Sequence, residues 1–237
     1  MSRTMQVNDY DAMKLIAEDP MRYAGMLRTS APEGECGNWR IRRFTVTEEE
    51  YTRQLMDQIN GLGFRAPPPG EYTALRFRVD DPNKQWAVMM SDTPAEMADH
   101  IPAIRFCTGH VLITGLGLAM VAEGLCRRPA VKSVTVVEKE ADVITLMQDY
   151  LREEWDEDRL RIVHADAFTW EADRKFDSAW HDIWPTISDE NLPQMEALKK
   201  RYPTKWAGCW AEKQCLSMKA FIDKPSYITA LQALPRL

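Results

Sequence analysis

The sequence has no cysteine pair or histidine motif that would indicate a disulfide framework or a metal site. Its five cysteines are scattered and odd in number, and none belongs to a C-x-x-C pair. Its four histidines have no metal-ligand spacing such as H-E-x-x-H. We therefore expect free thiols and no bound metal.

An excess of positive charge and a long apolar run are also absent. The 237 residues include 30 basic and 36 acidic ones, a net charge of −6 at pH 7. This balance lacks the long-range attraction that nonspecific binding to nucleic acid or to an anionic membrane needs. The most apolar run, residues 111–125, contains glycines and Glu123 and is too short to span a bilayer.

The first residues, MSRTMQVNDYDAMKL, have no apolar stretch of the kind that a secretory signal contains. We therefore expect a cytoplasmic protein. As its partner we expect a small-molecule substrate, with neither nucleic acid nor membrane, and we leave a homo-oligomer open.

The remaining composition, 45% hydrophobic and 28% charged residues, is that of an ordinary globular chain. Residues 1–105 predict a small β-rich appendage with helices, one of them around residues 11–27. Strands are expected at Trp39–Val46, Tyr72–Val79 and Gln85–Met90, the last two joined by a turn at residues 81–83. Thr47 and Glu50 form a capping box that begins a helix, which Gly61 and Gly63 end.

Residues 106–237 alternate continuous apolar runs with helical segments, which is typical of a parallel sheet covered on both faces. Its strands are predicted at residues 111–114, 133–137, 160–163 and 178–180, with a further candidate at 206–210. Helices are predicted near residues 120–127, 141–151 and 192–201, and the tail to residue 237 is left as a helix or a short strand pair. The predicted fold class is α/β, with a Rossmann-like nucleotide-binding domain and a smaller β-rich N-terminal appendage.

The candidate binding residues follow successive strands of that sheet. Gly115 permits a tight turn after the first strand, and Gly117 lets a ligand approach the backbone. Glu138 ends the second strand, where an acidic residue commonly binds ribose hydroxyls. After the third strand, Asp166 is placed to accept a hydrogen bond from an adenine amino group and Phe168 to pack on the base, with a helix N-cap as the less favoured interpretation of Asp166.

These residues together resemble the class I methyltransferase superfamily, which binds S-adenosylmethionine. Within it, residues 90–185 look most like the spermidine synthase family in three segments. They are the Glu-Met-x-x-His-x-Pro stretch at residues 96–102, the glycine turn with its Val-Glu pattern at 111–143, and the Phe-Asp strand at 176–182.

The resemblance implies roles for nine positions. Asp182 falls on the catalytic aspartate of the family, and the cofactor-binding positions are Gly115, Leu116, Gly117, Glu138, Lys139, Asp166, Ala167 and Phe168. Leu118 stands where the family has an aspartate that contacts the amine of decarboxylated S-adenosylmethionine.

Aromatic and titratable residues surround Asp182 in the sequence. Adjacent strand residues point to opposite faces, so His181 and Asp182 are not expected to share a site unless the strand has ended. Trp184 is a candidate stacking wall. Trp206 and Trp210 either line the cleft or pack in the core, and Glu96, Asp99 and His100 form either a lid or a solvated helix start.

The predicted function is methyl transfer from S-adenosylmethionine to a small molecule or a protein side chain. The alternatives are aminopropyl transfer as in spermidine synthases, a lyase acting on the cofactor, and an inactive cofactor-binding protein. All four need the same nucleotide pocket.

Overall fold

The computed structural model describes residues 27–59, 65–79 and 85–222, without the side chains of residues 221 and 222. Apart from Leu27, the helix predicted around residues 11–27 lies outside these ranges. So do the helix end at Gly61 and Gly63, the turn at residues 81–83 and the tail beyond residue 222.

The N-terminal part is an antiparallel sheet of four strands in the order β1-β2-β3-β4. Three strands were predicted, and β1 was not. Alternate residues of β2 and β3, such as Ile41 and Leu75, are buried against the main core, as expected for a sheet covered on one face. The strands are β1 (Gly34–Cys36), β2 (Trp39–Val46), β3 (Gly70–Arg78) and β4 (Trp86–Ser91).

Helix α1 (Glu48–Ile59) begins at the predicted capping box. The backbone N–H of Glu50 donates to Thr47 Oγ1 at 3.2 Å, and the backbone N–H of Thr47 donates to Glu50 Oε2 at 2.9 Å. These two bonds satisfy backbone donors that the first turn of a helix leaves free.

The second sheet has five parallel strands in the order β7-β6-β5-β8-β9. They are β5 (Gly109–Thr114), β6 (Val131–Glu138), β7 (Leu160–His164), β8 (Ser178–His181) and β9 (Trp206–Cys209). All five correspond to predicted strands. The strand order reverses at β5, so a crevice opens between β5 and β8 at their carboxyl ends.

Helices cover both faces of this sheet, because its strands are apolar on both sides. Val111 and Ile113 pack in one buried cluster, whereas Leu112 packs in another with Met195 and Leu198. The helices are α3 (Met120–Cys126), α4 (Ala141–Glu154), α5 (Leu192–Arg201) and α6 (Glu212–Ile222). The predicted α/β fold class, with a Rossmann-like parallel sheet and a β-rich N-terminal part, is confirmed.

One further helix, α2 (Pro94–Phe106), precedes β5 and spans the predicted domain boundary between residues 105 and 106. It packs against α3 and β9, with the Phe106 ring 5.6 Å from that of Trp206. The division into 1–105 and 106–237 stays a prediction. Among the described residues, no helix is both long enough and apolar enough to cross a membrane.

Candidate active site

A cavity of about 420 Å³ opens at the carboxyl ends of β5, β6 and β8. Trp39, Leu75 and Met90 of the N-terminal sheet close its other side. The cavity is lined by all nine predicted site residues: Gly115, Leu116, Gly117, Glu138, Lys139, Asp166, Ala167, Phe168 and Asp182. The structure thus brings them together, and the ligand contacts assigned to them stay predictions.

Gly115 is required by the backbone of the turn that follows β5. Its φ is +93°, in the region that favours glycine, and a Cβ built there would overlap the carbonyl oxygen of Asp182. Gly115 N–H donates to the carbonyl of Val137 at 2.9 Å. The turn is therefore held between β6 and the chain leaving β8.

Gly117 has a φ of +52°. The sequence suggested that a ligand approaches the backbone here, but the Met90 side chain occupies this space. A Cβ there would overlap the thioether sulfur of Met90, and the backbone N–H of Leu118 donates to the same sulfur at 3.2 Å. A ligand that touches this turn must displace the flexible Met90 side chain. Leu118 itself is fully buried.

Glu138 connects the glycine turn to the next strand end. Its carboxylate accepts from Leu116 N–H at 2.7 Å through Oε2 and from Glu140 N–H at 2.8 Å through Oε1. Each carboxylate oxygen has a second lone-pair site. Glu138 can therefore hold the turn and still accept a hydrogen bond from a ligand hydroxyl group.

Asp166 begins a turn rather than a helix. Its Oδ1 accepts from Phe168 N–H at 2.8 Å, and its carbonyl accepts from Thr169 and Trp170. Asp166 thus caps a turn at residues 167–169, where the structure forms no helix. Ala167 is buried and Phe168 is half-buried beside it.

Asp182 follows β8 directly and lies at the base of the cavity. Its backbone N–H donates to the Thr114 carbonyl at 2.8 Å, and its side chain is 18% exposed. Burial raises the pKa of its carboxyl group well above the ordinary value, and the negative charges of Glu96, Asp99 and Glu138 add to this. Such a group is protonated far more readily than a surface aspartate.

The lid suggested for Glu96, Asp99 and His100 is not what helix α2 forms. Glu96 lines the cavity and accepts from Ser91 N–H at 2.8 Å and from the Ser91 hydroxyl at 2.9 Å, while burial raises its pKa to about 7. Asp99 binds Arg65 through both oxygens, at 3.0 and 2.6 Å. His100 is fully buried, so it is neither a lid nor a solvated residue.

His181 and Asp182 do point to different places, as the strand geometry predicts. His181 is fully buried, does not line the cavity, and lies with its Nδ1 3.1 Å from Thr114 Oγ1. Trp184 and Trp210 line the cavity. Trp206 instead stacks on Trp180, with ring centroids 6.4 Å apart, so its role is packing.

Several cavity residues were missed because they belong to the N-terminal sheet. Trp39, Leu75, Met89 and Met90 come from β2, β3 and β4. Their alternation predicted strands, but nothing in it indicated that this sheet covers the carboxyl edge of the other.

The charged lining of the cavity is predominantly acidic. Five of its side chains carry carboxyl groups and one carries an ammonium group: Glu96, Glu138, Glu140, Asp166, Asp182 and Lys139. Apolar and aromatic residues line the rest of the cavity, so solvent screens the charge of a buried member such as Glu138 less than that of a surface group. The site therefore favours a cationic ligand over an anionic one.

No protein-family model and no curated protein matches the sequence. Among solved structures, an S-adenosylmethionine-dependent methyltransferase from Clostridium acetobutylicum ATCC 824 is 19% identical, with a TM-score of 0.31 over 43% of this chain and 38% of that one. A dimethyladenosine transferase from Plasmodium falciparum is 20% identical, with a TM-score of 0.34 over 45% and 36%. The chain thus spans less than two fifths of these two proteins, and the fold class rests on its own strand order.

Proposed function

We propose that the cavity binds S-adenosylmethionine and that the protein transfers its methyl group to a small molecule or a protein side chain. The observation that carries this proposal is the acidic cavity at the point where the strand order of the parallel sheet reverses. Nucleotide-containing ligands bind at that point in folds of this kind.

The charge of the cavity separates this cofactor from the dinucleotides that use similar folds. S-Adenosylmethionine carries a sulfonium cation, whereas a dinucleotide brings a doubly charged pyrophosphate. A lining with five carboxyl groups and one lysine favours the first over the second, even with Asp182 protonated. The cavity volume of about 420 Å³ lies within the range of small-molecule sites.

The residues that would hold the cofactor are those predicted from the strand ends. The cofactor would be framed by Gly115, Leu116 and Gly117. Glu138, with Lys139 beside it, would accept hydrogen bonds from the ribose hydroxyls. Asp166 would accept from the adenine amino group, with Ala167 and Phe168 packing on the base. The proposal requires Met90 to move away from the glycine turn.

When bound, S-adenosylmethionine supplies an electrophilic methyl group, so the protein mainly has to position an acceptor and remove its proton. Asp182 is the proposed general base, because its carboxyl group reaches the cavity from the end of β8. A nearby positive charge lowers the pKa of a carboxyl group. The raised pKa of Asp182 would therefore fall when a sulfonium binds, which favours the ionised base when the ligand is in place.

Two related activities and an inactive binding protein remain as alternatives. Aminopropyl transfer and a lyase reaction on the cofactor need the same pocket, but the former uses the decarboxylated cofactor. The buried Leu118 provides no carboxylate for the amine of the decarboxylated cofactor. We therefore expect the intact cofactor to bind at least as tightly as the decarboxylated form.

Calorimetry on the purified protein tests the binding, with S-adenosylmethionine, S-adenosylhomocysteine, decarboxylated S-adenosylmethionine and NAD as separate ligands. We expect both intact adenosyl ligands to bind and NAD not to bind. Tight NAD binding, no binding of either adenosyl ligand, or a clear preference for the decarboxylated form would each overturn the proposal.

Mass spectrometry of the products then separates the activities. S-Adenosylhomocysteine together with a methylated acceptor supports methyl transfer. Methylthioadenosine indicates loss or transfer of the amino acid chain instead. An unchanged cofactor after long incubation with extracts of small molecules and proteins supports a binding protein.

A further inference from the structure

His100 is a fully buried imidazole whose two ring nitrogens have no hydrogen-bond partner among the described residues. It lies on α2, behind the base of the cavity. Its Nδ1 is 3.8 Å from Asp182 Oδ2, and its ring meets that of Trp180 edge to face, with centroids 6.2 Å apart. A buried polar ring in this position costs free energy that an apolar side chain would not.

Asp182 is a chemically matched group close to His100. Met97, Ile101 and Ile104 of the same helix are buried and apolar. Asp182 Oδ2 is 3.8 Å from Nδ1, about 1 Å beyond an ordinary hydrogen bond, so the proposed bond requires a small movement of the carboxyl group.

We propose that His100 is a positioning residue for Asp182, with its Nδ1 accepting a hydrogen bond from the protonated carboxyl group, so that the unliganded site holds Asp182 neutral and oriented towards the cavity. The role of this pair in catalysis rests on the proposed function, whereas the proximity of His100 and Asp182 does not depend on a ligand. Binding of a sulfonium then ionises Asp182, and its proton leaves through the cavity, to which the side chain is open.

The charges around the pair agree with this arrangement. Glu96 and Asp99 of α2 and Glu138 of β6 face Asp182, as does the Cys209 thiol of β9, and Arg65 lies on Asp99. Burial, with the charge of Arg65, lowers the pKa of His100 to about 3. The imidazole is therefore an uncharged acceptor at neutral pH, and the carboxyl group is the member that carries the proton.

The chain contains a matched control for this pair. His181 is also fully buried and precedes Asp182 directly, but its Nδ1 faces Thr114 Oγ1 and it does not line the cavity. Replacing either histidine by phenylalanine removes a buried imidazole from the core. Only the change at His100 removes the acceptor from Asp182.

The test is proton release on ligand binding, measured by calorimetry in buffers of different ionisation enthalpy between pH 5 and 9. We expect the unmodified protein to release about one proton more with S-adenosylmethionine than with S-adenosylhomocysteine, which lacks the sulfonium charge. His100→Phe should move the pH midpoint of this extra release down by about one pH unit, because the neutral carboxyl group loses its acceptor. His100→Asn, whose amide oxygen can accept the same proton, should restore most of the midpoint, and His181→Phe should leave it unchanged.

Equal midpoints in the unmodified protein and His100→Phe, or an equal displacement by His181→Phe, would overturn the inference. If His100→Phe does not fold, His100→Leu replaces it. If neither ligand binds the unmodified protein, the proposed function fails, and carbon NMR titration of labelled aspartate carboxyl groups tests the pair in the unliganded protein. The Asp182 signal, assigned with Asp182→Asn, should then titrate at a lower pH in His100→Phe; an unchanged titration would overturn the pairing.

Discussion

At the scale of single residues, the carboxyl groups of the cavity have structural duties that precede any ligand. Glu138 accepts from two backbone N–H groups on opposite sides of the site, one in the glycine turn and one after β6. Glu138 is buried, and its removal would therefore leave the N–H groups of Leu116 and Glu140 without this acceptor. An effect on ligand binding has to be separated from this effect on the turn.

Glu138→Ala should weaken S-adenosylmethionine binding by roughly 1.5–3 kcal/mol, because a hydrogen bond to a charged acceptor is lost. It should also lower the free energy of unfolding, since Leu116 and Glu140 lose their acceptor. Glu138→Gln retains one acceptor oxygen and should show a smaller loss of both. Calorimetry and urea denaturation measure the two effects, and unchanged affinity in Glu138→Ala would remove this residue from the binding site.

Asp182→Asn retains the shape of the side chain but removes the base. Turnover should fall by a factor on the order of 100 or more. Cofactor affinity near neutral pH should change little, because the attraction of the sulfonium is offset by the cost of ionising a buried carboxyl group. Asp177→Asn is the control, since Asp177 pairs with Lys205 away from the cavity. Full turnover in Asp182→Asn would make Asp182 a structural residue.

The nine site residues could be predicted because they follow strands of a parallel sheet, whose carboxyl ends meet at one edge. Their convergence needs only the strand order. The contacts of Met90 with the glycine turn and of His100 with Asp182 depend on how separate elements pack, and no local pattern specifies that.

At the scale of elements, the strands of the second sheet were predictable from their apolar runs, whereas α2 was predicted only as one of two alternatives, a helix start around residues 96–100. Helix α2 contains Pro102 in its interior, and the polar His100 interrupts the face on which Met97, Ile101 and Ile104 are buried, so its apolar stripe is weak in the sequence. Helix α1 was predicted, because its capping box marks its first turn in the sequence.

The glycine turn gives an element-scale prediction. Gly115→Ala should destabilise the protein by about 1–3 kcal/mol through its left-handed backbone alone, and further because a Cβ displaces the carbonyl of Asp182. Gly117→Ala should cost less, because its Cβ meets only the flexible Met90 side chain.

Urea denaturation of both variants and of the double variant Gly117→Ala with Met90→Ala tests this difference. The double variant should recover part of the Gly117→Ala loss, because the space of the thioether becomes free. Equal losses at Gly115 and Gly117, with no recovery, would mean that backbone strain and not the neighbouring atoms decides both.

At the scale of the whole molecule, two sheets build one cavity. The second sheet supplies the strand ends, and the N-terminal sheet supplies Trp39, Leu75 and Met90 on the other side. Sequence patterns predicted each sheet but not their mutual placement, because that placement comes from buried surfaces distant in the chain. Ile41 and Leu75 show this, since they join the core built mainly by residues after position 97.

The buried histidines make the stability of the whole molecule depend on pH. Burial, followed by the charge of Lys199, lowers the pKa of His181 from 6.5 to about 4. Below pH 6.5 the unfolded chain binds a proton here that the folded protein binds only near pH 4, so stability is lost as pH falls through this window.

In His181→Phe the contribution of His181 to this pH dependence disappears. The difference in unfolding free energy between the unmodified protein and the variant should therefore fall by about 1.4 kcal/mol per pH unit from pH 6.5 towards pH 4. Above pH 6.5 the difference should be constant, which serves as the internal control, and His100 does not affect it because both proteins contain that residue. Urea denaturation at a series of pH values measures the difference, and a flat difference below pH 6.5 would mean that His181 titrates alike in the folded and unfolded chains.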